Sequence, residues 1–169
     1  MNNNIIASKD VLIYAFRYSL GRMTYAPVTV CETIKSNIKN LSKYDLNLLI
    51  DEINNCQNYG MDFDKSYWLG FLRYLDNELN NKNDNKIDVA YNNIIINREI
   101  LIFAFRYSLH ESKSEISIIE NAIKDNIDKI SIYDINLFLR EIKEYISYDI
   151  NDNSRYFVDL KNFLEKKLL

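Results

Sequence analysis

The chain holds one histidine, one proline, three glycines and two cysteines in 169 residues. Each scarcity excludes something. A lone histidine, His110, argues against Ser-His-Asp or Cys-His catalysis and against histidine-rich zinc sites. No glycine-rich phosphate loop is present. So little glycine and proline favours long helices over turn-rich β structure. Lys and Arg number 21 against 24 Asp and Glu, a net charge of −3, so no basic face for direct nucleic-acid binding is expected. The longest strictly apolar run, Val11 to Phe16, is far too short to cross a bilayer. The start, Met1-Asn2-Asn3-Asn4, lacks the basic opening and apolar core of a signal peptide. These features point to a cytoplasmic protein without a membrane partner, with Cys31 and Cys56 kept as reduced thiols.

What is present is a repeat. Val11-Leu-Ile-Tyr-Ala-Phe-Arg-Tyr-Ser-Leu20 returns as Ile100-Leu-Ile-Phe-Ala-Phe-Arg-Tyr-Ser-Leu109. At this offset of 89, residues 11–79 lie on 100–168 without a gap, and about a third of the aligned positions are identical. Such self-similarity marks a tandem duplication. The expected architecture is all-α: two tandem four-helix repeats packed about a pseudo-two-fold axis. The first repeat covers 1–80, a polar linker 81–93 and the second repeat 94–169.

Within each repeat the apolar spacing predicts four helices. The first is apolar nearly all round, with Ser8 or Asn97 as N-cap, and should be central. Gly21 can end it and Pro27 can open the next. Ser42-Lys-Tyr-Asp45 and Ser131-Ile-Tyr-Asp134 read as capping boxes of the third, which Gly60 can end. Asp64 opens a fourth whose stripe includes Tyr67, Trp68, Phe71 and Leu75, answered by Tyr156, Phe157, Leu160 and Leu164. These aromatics read as core, with Trp68 also able to line a groove.

Arg17 and Arg106 sit inside apolar helices of both copies, and a buried arginine must be paired. Glu52 and Glu141, or Asp45 and Asp134, are the acids retained in both repeats. The expectation is a buried ion pair in each half, set against a ligand-facing arginine. Gly21-Arg22-Met23-Thr24-Tyr25 is different. Its counterpart is His110-Glu-Ser-Lys-Ser114, so every feature is lost in the second copy. Arg22, Thr24 and Tyr25 precede a helix N-terminus, where an anion is favoured. Arg22 can add a bidentate contact and Tyr25 a stacking face. The competing reading is a glycine turn with Tyr25 packed on the next helix. Asp62 and Asp64 read as capping residues, since a calcium loop needs more oxygens.

The first copy resembles small proteins of phages and prophages of Gram-positive bacteria. They carry a Tyr-Ala-x-Arg-Tyr-x-Leu-Gly-Arg-x-Thr-Tyr motif, here Tyr14 to Tyr25, and a Gly-Met-x-x-Asp…Trp element, here Gly60 to Trp68. The resemblance covers about half the chain, and the second copy keeps only Phe103 to Leu109 of it. It implies a phage context and single-copy relatives that dimerise, with this chain the fused dimer.

The expected function is therefore non-enzymatic, without cofactor or metal: a phage-borne inhibitor of a host defence factor, anti-CRISPR-like, acting by protein–protein contact. Many tyrosines suit such an interface. The alternative is sequestration of a small anionic nucleotide by the Gly21–Tyr25 loop.

Overall fold

The computed structural model describes residues 4–20, 25–58, 65–82, 93–111, 113–148 and 153–169. Among them the chain is all-α apart from one two-stranded ribbon. Strand β1 (Ile5–Ala7) leads into α1 (Lys9–Leu20), α2 (Ala26–Asn37), α3 (Lys43–Asn58) and α4 (Lys65–Asn81). Strand β2 (Ile94–Ile96) leads into α5 (Arg98–Ser108), α6 (Lys113–Asp125), α7 (Ile132–Tyr148) and α8 (Val158–Lys167). A 3-10 turn at Ile38–Asn40 separates α2 from α3, and another at Ile127–Lys129 separates α6 from α7.

The central position of α1 follows from its composition. Val11 to Phe16 are all buried, as are Ile100 to Phe105 of α5, and the two helices pack principally on each other. The polar residues that survive in these helices satisfy themselves locally. Ser19 Oγ donates to the Phe16 carbonyl at 2.6 Å, and Ser108 Oγ to the Phe105 carbonyl at 2.7 Å. A buried hydroxyl therefore costs little here. Across the crossing Tyr14 stacks on Tyr107 and Tyr18 on Phe103, each with centroids 5.5 Å apart.

Each half adds its own aromatic centre. Phe16 meets Trp68 edge-on at 5.8 Å, and Phe105 meets Phe138 at 4.8 Å and Phe157 at 6.3 Å. Trp68 is wholly buried, so it is core and lines no groove. Fully burying one such side chain contributes about 1.5–3 kcal/mol. α3 packs on α4, and α7 on α8.

The ribbon pairs residues far apart in sequence. Ile5 lies opposite Ile96, Ile6 opposite Ile95 and Ala7 opposite Ile94, antiparallel. Its outer edges are closed by two buried asparagines. Asn37 Nδ2 donates to the Ile95 carbonyl at 2.8 Å and its Oδ1 accepts from the Ile95 amide at 3.1 Å. Asn126 does the same to Ile6, at 2.7 and 3.1 Å. An edge strand with unpaired groups invites foreign pairing, and these amides remove that opening.

Several local expectations need correction. Ser8 does not cap α1 with its side chain: its buried Oγ has no hydrogen-bond partner among the described residues, whereas Asn97 Oδ1 accepts from the Ile100 amide at 3.0 Å. The fourth helix of the second half opens with a 3-10 segment, Asn153–Phe157, before α8. Such tight turns are common at helix starts. Gly21, Gly60, Asp62 and Asp64 lie outside the described residues, as does most of the linker.

Candidate functional site

Arg17 and Arg106 end α1 and α5 with their guanidinium groups turned outward. Arg17 Nε donates to Glu52 Oε1 at 2.7 Å. Arg106 holds Glu141 with both Nε (3.0 and 3.1 Å) and Nη2 (2.6 Å). The glutamate partners are as expected, but the burial is not. The arginine side chains are 28% and 34% exposed. An arginine stem can be covered by apolar neighbours while its head reaches the rim, which is what a helix end permits. Burial alone would lower the Arg17 pKa; the Glu52 hydrogen bond and charge overcome it and raise it. The Glu141 hydrogen bond leads the rise at Arg106.

Each arginine also faces a tyrosine of the other half, Arg17 toward Tyr107 and Arg106 toward Tyr18. Burial, aided by Asp10 and Glu115, pushes the Tyr14 hydroxyl up to about 12. Tyr107 is raised by burial and then by Glu111. These phenols stay protonated and act as hydrogen-bond donors and ring surfaces, not as bases.

Asp45 and Asp134 do not serve Arg17 and Arg106. Asp45 is buried and accepts from the Ser42 amide (2.8 Å), the Ser42 hydroxyl (2.7 Å) and Lys9 Nζ (3.0 Å). Burial would raise its pKa, but Lys9 and the two Ser42 bonds hold it below the usual carboxylate value. Asp134 accepts from Ser131 Oγ at 2.7 Å and from both Nε and Nη2 of Arg98. The capping boxes of α3 and α7 thus carry an extra cation from the first residue of α1 and of α5. That cation was not expected, although Lys9 and Arg98 align at the repeat offset.

Just before each buried aspartate stands an exposed tyrosine. Tyr44 is 72% and Tyr133 71% exposed. One turn on, Asn47 and Asn136 are exposed in both copies. Residues i and i+3 share a helix face, so the same Tyr-x-x-Asn face recurs on α3 and α7. The sequence signal was available: identical residues at positions the core does not use.

Tyr25 N-caps α2 and is 65% exposed, its ring centroid 5.9 Å from that of Phe103 on α5. It therefore leans on α5 rather than on the helix it precedes. Arg22 and Thr24 lie outside the described residues.

A cavity of about 540 Å³ opens between the starts of α5 and α7, closed on one side by Ile5 of β1. Leu101, Ile130 and Phe138 supply apolar wall; Arg98, Lys129, Tyr133 and Asp134 supply its polar part. Arg98 lies 6.0 Å from the Tyr133 ring centroid, within cation–π range.

No cluster of His, Cys, Asp and Glu suited to a metal occurs among the described residues. Cys31 is buried and its thiol is pushed up to about 12, chiefly by that burial. Such a thiol is not an activated nucleophile. Among the described residues no helix is long and apolar enough to cross a membrane. No known protein-family model, curated protein or solved structure matches the chain.

Proposed function

We propose that this chain is a non-enzymatic binding protein that acts by protein–protein contact and presents one recognition face twice. The observation that carries the reading is the pair Tyr44 and Tyr133, identical at offset positions and almost equally exposed. An identical buried residue is explained by packing. An identical exposed aromatic is not, because the fold gains little from it and solubility loses. Tyrosine is enriched at interface hot spots, where a large rigid ring brings area at low entropic cost.

The duplicated face fits two tandem four-helix repeats related by a pseudo-two-fold axis. Supporting this are the reciprocal pairs: Asn37 to Ile95 with Asn126 to Ile6, Tyr14 on Tyr107 with Phe103 on Tyr18, and Ile6 opposite its own counterpart Ile95. A two-fold operation exchanges the members of each pair.

The resemblance of Tyr14 to Tyr25 to phage and prophage proteins gives the biological setting. In that setting the protein is an inhibitor of a host defence factor, anti-CRISPR-like, working in the cytoplasm of the bacterial host on a host protein. The alternative is capture of an anionic nucleotide by Arg22, Thr24 and Tyr25, supported by the exposed Tyr25 ring beside the α2 N-terminus.

The test is a pull-down from host lysate with mass spectrometry of proteins and small molecules, run in parallel with wild type, Tyr44→Ala/Tyr133→Ala and Tyr25→Ala. A stoichiometric protein lost in the double variant supports the contact reading. A nucleotide released on heating, and lost only in Tyr25→Ala, would replace it with the alternative.

A further inference from the structure

We propose that this chain associates with a second copy of itself, the Tyr-x-x-Asn face of α3 on one copy meeting that of α7 on the other. The two faces agree at their aromatic and amide positions and are inverted at the charged one. Two turns along from Tyr44 stands Asp51, and at the same place after Tyr133 stands Arg140. Positions i, i+3 and i+7 share a helix face. Tyr44, Asn47 and Asp51 therefore form one stripe, and Tyr133, Asn136 and Arg140 the other. All six residues are exposed. Neither the Asp51 carboxylate nor the Arg140 guanidinium has a partner among the described residues, whereas neighbouring Lys143 is held by Glu165 at 3.1 Å. Glu144, one turn beyond Arg140, is exposed and does not pair with it.

An unpaired acid on one face and an unpaired base on its duplicate make each face the complement of the other. Had both copies kept the same charge, the faces would repel when brought together. Asp51 against Arg140 is instead the carboxylate–guanidinium match. The amides fit as well. Asn136 Nδ2 donates to the Ile132 carbonyl at 2.9 Å, which leaves its Oδ1 to accept from Asn47 of the second copy. Tyr44 and Tyr133 add exposed rings, and Ile132, 69% exposed, widens the apolar part of the contact. Strand pairing between copies is not a competing route, because Asn37 and Asn126 close the ribbon edges. Each copy carries one face of each kind, so two copies that meet reciprocally make the contact twice. The inference rests on reading these faces as recognition surfaces, and a host protein would compete with the second copy for them.

Sedimentation equilibrium of the purified full chain should show a mass that rises with concentration above that of one chain and falls back as salt is added. Asp51→Arg and Arg140→Asp should each weaken association about tenfold or more. The double variant Asp51→Arg/Arg140→Asp should recover it. So should an equimolar mixture of the two single variants, because every contact between them again sets an acid against a base. Circular dichroism melts report whether these exposed changes leave the fold intact; a reversal that unfolds the chain is replaced by Asp51→Asn or Arg140→Gln, which should weaken association severalfold. The proposal is overturned if wild type keeps the mass of one chain at every concentration, if either single change associates like wild type, or if the folded double variant or the mixture fails to recover association. Lysate capture separates this outcome from the functional reading. A chain that stays monomeric yet captures a host protein through Tyr44 and Tyr133 sinks only the self-association, and self-association without capture sinks only the host contact.

Discussion

Asn37 binds both backbone groups of Ile95, a residue 58 positions away, with bonds of 2.8 and 3.1 Å. The same Nδ2 also donates to the Thr33 carbonyl of its own helix at 2.9 Å. One buried amide therefore ties α2 to the strand that opens the second half. Removing it leaves polar backbone groups with their partner gone, which costs about 1–3 kcal/mol. Asn37→Ala should lower the urea midpoint accordingly without changing the slope, and Asn126→Ala should do the same from the other side. Lys39→Ala, on an exposed neighbour, should change neither. Wild-type stability in Asn37→Ala would mean that water takes over the ribbon edge.

The arginine pairs should contribute less than fully buried ones. Breaking a buried pair from one side costs about 3–5 kcal/mol, but Arg17 and Arg106 are near one-third exposed, where solvent screens the charges. About 1 kcal/mol is expected for Arg17→Ala, and somewhat more for Arg106→Ala, whose contact with Glu141 is bidentate. A double-mutant cycle with Glu52→Ala and Glu141→Ala measures each coupling directly. A coupling at Arg17–Glu52 larger than at Arg106–Glu141 would reverse the ranking.

How much of this was legible in the sequence depends on the range of the interaction. α1 and α5 were readable because their apolar runs are long and nearly continuous. The Glu52 and Glu141 partners were readable because both copies keep them. The strands were not: three residues are too few to display alternation, and Ile5–Ala7 pairs with a segment 89 positions on. An apolar helix says nothing about where a long side chain emerges, so it does not reveal that Arg17 and Arg106 reach the rim. Asn37 and Asn126 are identical across copies, yet a buried asparagine looks like any polar helix residue until its distant partner is known. The same holds for the cavity, whose walls come from β1, α5 and α7 together.

Acid stability should report on Asp45. Its folded pKa is depressed, so its stabilisation is complete above the unfolded value of about 4 and is lost as pH falls through the folded value. Urea midpoints should therefore differ most between wild type and Asp45→Asn near neutrality. The gap should close progressively below about pH 4. A gap that persists unchanged to low pH would show that the loss comes from the amide's packing and not from the charge held by Lys9 and Ser42.

The last prediction concerns the duplicated face. Two equivalent sites on one chain engage a two-site partner with an effective concentration fixed by the scaffold between them, so avidity exceeds either single affinity. Tyr44→Ala and Tyr133→Ala should then each weaken binding of the captured partner severalfold or more, and the double variant should abolish it. A truncated hot-spot tyrosine typically costs about 2 kcal/mol or more. Melting temperatures should stay near wild type, because both rings are more than two-thirds exposed. Leu69→Ala, at an exposed residue that is not repeated because Val158 stands in its place, is the control and should bind normally. The pattern discriminates among sites as well. If only Tyr133→Ala acts, the second-half cavity mouth, to which Tyr133 also belongs, is the contact. If neither acts but Tyr25→Ala does, the recognition surface lies at the start of α2 and the symmetric reading fails.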